Sequence, residues 1–200
     1  KAIALDGGSL RRKVDVVIAN WWNTELWKKY QVKMARGVRI LDSKVPTTIK
    51  NKPFLHNHAI DKKDEETLGL RKVIRLMKTL KYDAEPELSL SSYDIAAVAW
   101  NMDNAALTVA ENAYLPLAKN ALSQLKRFIA NDALRNSLDV PNKTRKVFGD
   151  DGAKLADLID IHDELEGLIK RIELEQIISF SKSASLITES ELPEWRETRP

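Results

Sequence analysis

Between Leu70 and Leu80 the apolar residues Leu70, Val73, Ile74, Met77 and Leu80 recur at three- and four-residue steps. That spacing lines one face of an α-helix, and it leaves Arg71, Lys72, Arg75, Lys78 and Lys81 on the other faces. Such a stripe has to be covered, so it demands further helices with apolar faces of their own. A short acidic stretch with Pro86 follows, and Ser91-Ser92-Tyr93 then opens the next apolar run. Serine at that place predicts a helix N-cap, with hydroxyls and free backbone N–H groups converging on one spot. A helix start beside a lysine-rich helix suits a polyphosphate.

The rest of the chain reads as α+β, strands first. Ala2–Leu5 and Arg12–Ala19 are expected as two strands joined at Asp6-Gly7-Gly8, a turn that asks for positive φ. Asp15 is an isolated acid in the second of these, opposite in pleat to Val14 and Val16. A helix is expected over Asn23–Lys33, a strand over Gly37–Leu41, and a polar connection over Asp42–Lys52. From Asp61 onward the pattern is helical. Helices are expected over Ser92–Met102 and Asn104–Ile129, with Pro116 kinking or restarting the latter. A polar loop covers Asn131–Asp150. Leu155, Leu158, His162, Leu165, Ile169, Ile172 and Gln176 then mark a long helix over Gly152–Ile178, whose stripe is expected to pack inside the molecule. The expected organisation is 1–52 as the end of a sheet-bearing region, 53–182 as a helical lobe, and 183–200 as a tail containing Trp195.

Composition narrows the chemistry. Two hundred residues with 44% hydrophobic content bury one sizeable core or two small lobes. A net charge of +3 suits a phosphate-bearing ligand without demanding nucleic acid. Nucleic-acid readout lacks a motif, although Arg11, Arg12 and Lys13 beside Lys28 and Lys29 could form a basic lip. The lack of cysteine excludes disulfides, thiolate metal sites and a cysteine nucleophile, and fits a cytoplasmic home. No apolar run approaches the ~18 residues of a membrane helix, so no membrane partner is expected. P-loop, G-x-S-x-G and Rossmann patterns do not occur.

Leu76-Met77-Lys78-Thr79-Leu80 followed by Ser91-Ser92-Tyr93 resembles the helical half of the polymerase-β-like nucleotidyltransferases that make nucleotide second messengers. That group includes cyclic GMP-AMP synthase, oligoadenylate synthase and their bacterial anti-phage relatives. In it, a helix reading roughly L-x-K-x-L and an S-S-Y helix start follow the catalytic sheet. The resemblance covers Lys1 to Met102 and is strongest over Leu68–Ile95. It implies that Lys78 and Ser92 hold a nucleoside triphosphate and that Tyr93 stacks on the base, with Ser91 and Lys81 as weaker candidates. It also implies that Asp15 is a metal-binding catalytic carboxylate beside the attacking hydroxyl. Magnesium is the implied ion and manganese the alternative, because the ligands are hard oxygens. The reaction would move a nucleotidyl group to an acceptor hydroxyl and release pyrophosphate, making a cyclic or linear oligonucleotide messenger.

The pattern also departs from that family. Gly8-Ser9 is followed by Asp15-Val16-Val17, so the family's Asp-x-Asp pair is not found there. Gly7-Gly8-Ser9 therefore reads as a turn, and the first two carboxylates are expected upstream of Lys1 or on a second chain. His56 and His58 at i, i+2 would share one face of a strand, yet no third metal ligand is patterned beside them. Two rival readings stand: a transferase that adenylylates a protein, a transfer RNA or a small molecule, and a non-catalytic helical interaction module.

Overall fold

The computed structural model describes residues 3–7, 12–41, 48–150 and 152–190. Strands β1 (Ile3–Gly7) and β2 (Arg12–Val16) pair antiparallel, with Ala4 opposite Asp15. A second sheet holds β3 (Ala19–Trp22), β4 (Gly37–Leu41) and β5 (Thr48–Asn51) in that order, both pairs antiparallel. The residues of β5 fall inside the segment expected as a polar connection. Strand β5 is solvent-facing except at Asn51, so apolar alternation was too weak to announce it. Gly37 is dictated by packing. A Cβ there would lie 2.6 Å from the Trp22 ring and 2.7 Å from the Asn51 carbonyl oxygen.

Helix α1 (Glu25–Tyr30) starts at Thr24, whose hydroxyl accepts from the Trp27 N–H and donates to the Ala35 carbonyl. It ends at Gln31 in the left-handed region, and a 3-10 turn covers Lys33–Ala35. It is therefore shorter than expected. Arg36 lies over both Trp21 and Trp27, with its guanidinium carbon 4.0 and 4.7 Å from the ring centres.

Helix α2 (Pro53–Thr67) begins eight residues before the expected start, with Pro53 at its first position, where no N–H is needed. His56 and His58 therefore sit on a helix rather than a strand. Two helical steps turn them about 200° apart, which removes the expected shared face. Helix α3 (Leu70–Asp83) follows through Gly69. Its buried residues include all five stripe positions, Leu70, Val73, Ile74, Met77 and Leu80. Helix α4 (Ser92–Trp100) is enclosed from Asp94 to Ala99. At its C-terminal end the Lys63 ammonium donates to the carbonyls of Trp100 and Met102, at 2.6 and 2.5 Å.

The expected helix over Asn104–Ile129 is two: α5 (Asn104–Leu107) and α6 (Tyr114–Ala130). Pro116 lies in the first turn of α6, so it opens that helix rather than kinking it. The expected polar loop contains α7 (Asp132–Ser137), capped by the Asn131 side chain. Helix α8 (Leu155–Ser190) runs past the expected end at Ile178. Leu158, Ile161, Leu165 and Ile169 bury its first half against α6 and α3, the intramolecular packing that was expected. His162 sits at the rim, 2.8 Å from Asp163. Gly8, Ser9 and Trp195 lie outside the described residues.

One continuous apolar core joins α2, α3, α4, α6 and α8, and the sheets lie to its N-terminal side in sequence. The architecture is mostly helical α+β, with a small three-stranded antiparallel sheet before the helices.

Candidate functional site

Three helices border a half-open cavity of about 270 Å³ whose lining includes His56 and Asn57 of α2, Arg71, Arg75 and Lys78 of α3, and Ala96 of α4. The cations lie at i, i+4 and i+7, one flank of α3 beside its buried stripe. Arg71 is committed to the carboxylates of Asp61 and Asp64. Arg75 and Lys78 have no ion-pair partner among the described residues. Two cations without an ion-pair partner among the described residues give this half-enclosed hollow a positive potential.

His56 joins this cavity to the start of α4. Its ring stacks on Tyr93, with centres 4.6 Å apart and planes 18° from parallel. Burial and, second, the nearby Lys78 ammonium lower its pKa, so the imidazole is neutral at pH 7. Its Nδ1 is sealed from solvent and has no hydrogen-bond partner among the described residues. The cheaper tautomer therefore carries the proton on Nε2.

The serine doublet divides its labour. Ser91 is the N-cap: its hydroxyl accepts from the Asp94 N–H at 3.0 Å and donates to Asp94 Oδ2 at 2.7 Å. Ser92 occupies the first helical position, with its hydroxyl 3.1 Å from the Tyr82 hydroxyl. With Asp94 N–H taken by the cap and Ile95 N–H by the Ser91 carbonyl, the N–H groups of Ser92 and Tyr93 have no acceptor among the described residues. Asp94 is buried, held by Ser91 on one oxygen and by Arg145 at 2.6 Å on the other.

Tyr93 is also fixed at its far end. Its hydroxyl donates to Asn142 Oδ1 at 3.1 Å, and the Arg145 guanidinium carbon lies 5.4 Å from its ring centre. Burial pushes the phenol pKa up, so it stays protonated. Tyr93 borders a second hollow of about 380 Å³, shared with Ile49, Lys50, Asn51, Thr144 and Arg145.

The structure thus brings Lys78 and Tyr93 to the same histidine, with Ser92 next in the chain. Lys81 goes elsewhere. It is buried, and its ammonium donates to Glu87 and to the Leu88 carbonyl, both at 2.7 Å, which pins the turn between α3 and α4. Asp15 lies on β2, and its side chain lies outside the described residues. Among the described residues no group of three or more His, Asp or Glu is placed to hold a metal ion, so the described side chains do not make a magnesium site.

Sequence reasoning singled out neither Arg75 as a site residue nor Asn142 and Arg145 at all. Arg75 had a signal, its place one turn before Lys78. Asn142 and Arg145 lie about fifty residues beyond Tyr93, in a stretch without periodicity.

Residues 58–170 match the family model for the cGAS/DncV-like nucleotidyltransferase C-terminal helical domain. The chain belongs to this family. The matched region contains Lys78, Ser92, Tyr93, Asn142 and Arg145, whereas the strands and His56 precede it. A cyclic dinucleotide synthase CdnE from Yersinia aleksiciae is 42% identical over 155 residues, covering 74% of this chain and 40% of that protein. A c-di-GMP synthase from Capnocytophaga granulosa is 32% identical over 178 residues, covering 87% and 48%. The solved STING-associated CdnE c-di-GMP synthase from Capnocytophaga granulosa superposes with a TM-score of 0.71 at 29% identity, covering 88% of this chain and 56% of that one. Elizabethkingia meningoseptica CdnE, solved with GTP and Apcpp, shares the fold at a TM-score of 0.65 and 18% identity, covering 84% and 62%. The chain spans less than half the length of these curated relatives. The resemblance seen in Lys78 and Ser91-Ser92-Tyr93 is therefore borne out at the level of the family. Among the described residues no helix is long and apolar enough to cross a membrane.

Proposed function

We propose that this chain supplies the helical half of a nucleotidyltransferase that transfers a nucleotidyl group from a nucleoside triphosphate to an acceptor hydroxyl with loss of pyrophosphate. The product would be a cyclic or linear oligonucleotide messenger serving anti-phage defence. The observation that carries the reading is the cavity bordered by Lys78 and Arg75, neither of which has an ion-pair partner among the described residues, with His56 in its lining stacked on Tyr93 in the first turn of α4.

In this reading Lys78, with Arg75 one turn away, supplies positive charge to the triphosphate. The Ser92 hydroxyl and the N–H groups of Ser92 and Tyr93 donate to its oxygens. Ser91 acts behind them, holding Asp94 so that the first turn keeps its shape. Tyr93, neutral at physiological pH, offers its ring to a base. Asp15 is the residue of this chain assigned to magnesium or manganese, which, when bound, would neutralise phosphate charge. Lys81 is left out, since its ammonium is already satisfied inside the fold.

Two relatives bear the names cyclic dinucleotide synthase and c-di-GMP synthase, and a neighbour of the same fold was solved with GTP and Apcpp; both support the reading. The test is calorimetric binding of ATP and GTP, each with magnesium, to the parent and to Lys78→Ala. The variant is expected to lose about tenfold or more in affinity, the worth of one charge-assisted contact. Equal affinities would sink the reading. A second reading, a non-catalytic interaction module, draws on the far end of α8, where Leu174, Ile177 and Phe180 are exposed by 58, 65 and 79%.

A further inference from the structure

The loop between α7 and α8 contains a polar group with complete burial. Asn142 has 0% exposure. It sits in the turn Val140-Pro141-Asn142-Lys143, closed by the Lys143 N–H to the Val140 carbonyl at 2.8 Å. Proline at the second position presets that turn, and Lys143 takes the left-handed conformation after it. The loop is held in place by Asp139 bridging to Lys146 and by the Val147 N–H donating to the Leu138 carbonyl.

Every polar atom of the Asn142 side chain is used. Nδ2 donates to Asn51 Oδ1 at 2.7 Å and to the Lys52 carbonyl at 3.4 Å, both at the end of β5. Oδ1 accepts from the Thr144 N–H and hydroxyl, at 3.3 and 2.8 Å, and from the Tyr93 hydroxyl at 3.1 Å. If its purpose were only to close its own turn, the Thr144 bonds would suffice. The remaining three bonds reach residues 49, 90 and 91 positions away, and they join the sheet to the first turn of α4.

We infer that Asn142 is a positioning residue for Tyr93: it fixes the phenol edge, and so the angle at which the ring meets a nucleobase, relative to strand β5. The inference rests on the nucleotide reading above and deepens it. Three contacts bear on the ring plane, one of them the Arg145 guanidinium 5.4 Å from the ring centre. His56 stacks on the ring, and Asn142 holds the hydroxyl from the sheet side. Without the Asn142 bond, the ring keeps His56 and Arg145 on it but loses the hold on its edge, so its tilt is less restrained. Tyr93 and Asn51 also border one hollow, so the same hydrogen-bond chain shapes the floor of that space. Triphosphate contacts at Lys78 and Ser92 do not run through Asn142. The consequence is selective: Asn142 governs the contribution of the base and leaves that of the phosphates alone.

The experiment measures ATP, GTP and inorganic tripolyphosphate, each with magnesium, against the full chain and its Asn142→Ala, Tyr93→Phe and doubly substituted forms. The ratio of nucleotide to tripolyphosphate affinity isolates the base. Each single substitution is expected to lower that ratio about three- to tenfold, the effect of one lost internal hydrogen bond, with tripolyphosphate affinity held within about twofold. The double variant is expected to be no weaker than the weaker single one, because both cut the same bond. A common fall for nucleotide and tripolyphosphate would mean general structural loss, and an unmoved ratio would mean no role; either overturns the inference. Should Asn142→Ala not fold, Tyr93→Phe, which retains the ring, decides alone. If the parent binds neither nucleotide nor tripolyphosphate, the nucleotide reading itself falls and takes the inference with it. If the parent binds both and only the ratio stays fixed, the inference alone falls.

Discussion

Removing the guanidinium of Arg145 tests how the start of α4 is held. Asp94 is buried, with an 8% exposed side chain, and has two supports: Arg145 at 2.6 Å on Oδ1 and Ser91 at 2.7 Å on Oδ2. Breaking a fully buried ion pair from one side costs about 3–5 kcal/mol. Here the Arg145 side chain is 31% exposed, and Asp94 keeps its serine and is close enough to the surface to recruit water. Against that, Arg145 also donates to the carbonyls of Lys146 and Val147 and lies over Tyr93. Balancing the two, Arg145→Ala should destabilise the chain by about 2 kcal/mol, which for this size lowers Tm by about 4–8 °C. The part due to the pair is separable. Asp94→Asn removes the charge while its side chain can still accept from Ser91, so Arg145→Ala in that background should cost about 1 kcal/mol less. Urea unfolding of the four proteins, followed by circular dichroism, gives the cycle. Additive effects, or a single-variant loss below about 0.5 kcal/mol, would show that Asp94 is held by its serine cap and helix alone, and the argument from the buried pair would fail.

Two further outcomes follow from close packing and from titration. A Cβ at Gly69 would lie 2.0 Å from the Leu107 carbonyl oxygen, a backbone atom that cannot swing aside. Gly69→Ala should therefore cost about 2 kcal/mol or more by forcing the α2–α3 junction off α5, and a Tm within about 1 °C of the parent would refute the contact. His56 is held neutral by burial and by Lys78, with Arg71, Arg75 and Tyr93 also around it. Its folded pKa lies below the ordinary 6.5. The unfolded chain thus takes up the proton first, and stability falls as pH drops below that value toward the folded pKa. His56→Gln should flatten this fall between pH 7.5 and 5; parallel urea-midpoint profiles for parent and variant would count against a buried neutral imidazole.

What the sequence determined by itself is the part of the structure written in short-range periodicity and capping chemistry. Leu70, Val73, Ile74, Met77 and Leu80 are all buried because a 3.6-residue repeat leaves a helix only one face to cover. Ser91 caps α4 because a short hydroxyl side chain in extended backbone can reach the N–H three residues on. The first half of α8 packs inward on the same logic. Strand β5 and the early start of α2 escaped it, since β5 has little apolar alternation and α2 has apolar and polar residues scattered around its axis.

Tertiary structure decided the site. Lys78 and Lys81 are three residues apart on one helix with the same charge, and nothing local separates them. The turn that follows folds back so that Glu87 and the Leu88 carbonyl meet Lys81, while Lys78 is left bordering a cavity. His56 meets Tyr93 only because α2 and α4 are brought together. Asn142 meets both Tyr93 and β5 only because the α7–α8 loop closes over them. Contacts of this kind leave no local trace, because a hydrogen bond across ninety residues constrains geometry and not sequence spacing. Periodicity told which faces must be buried; the packing of those faces against one another told which polar groups were left facing a cavity.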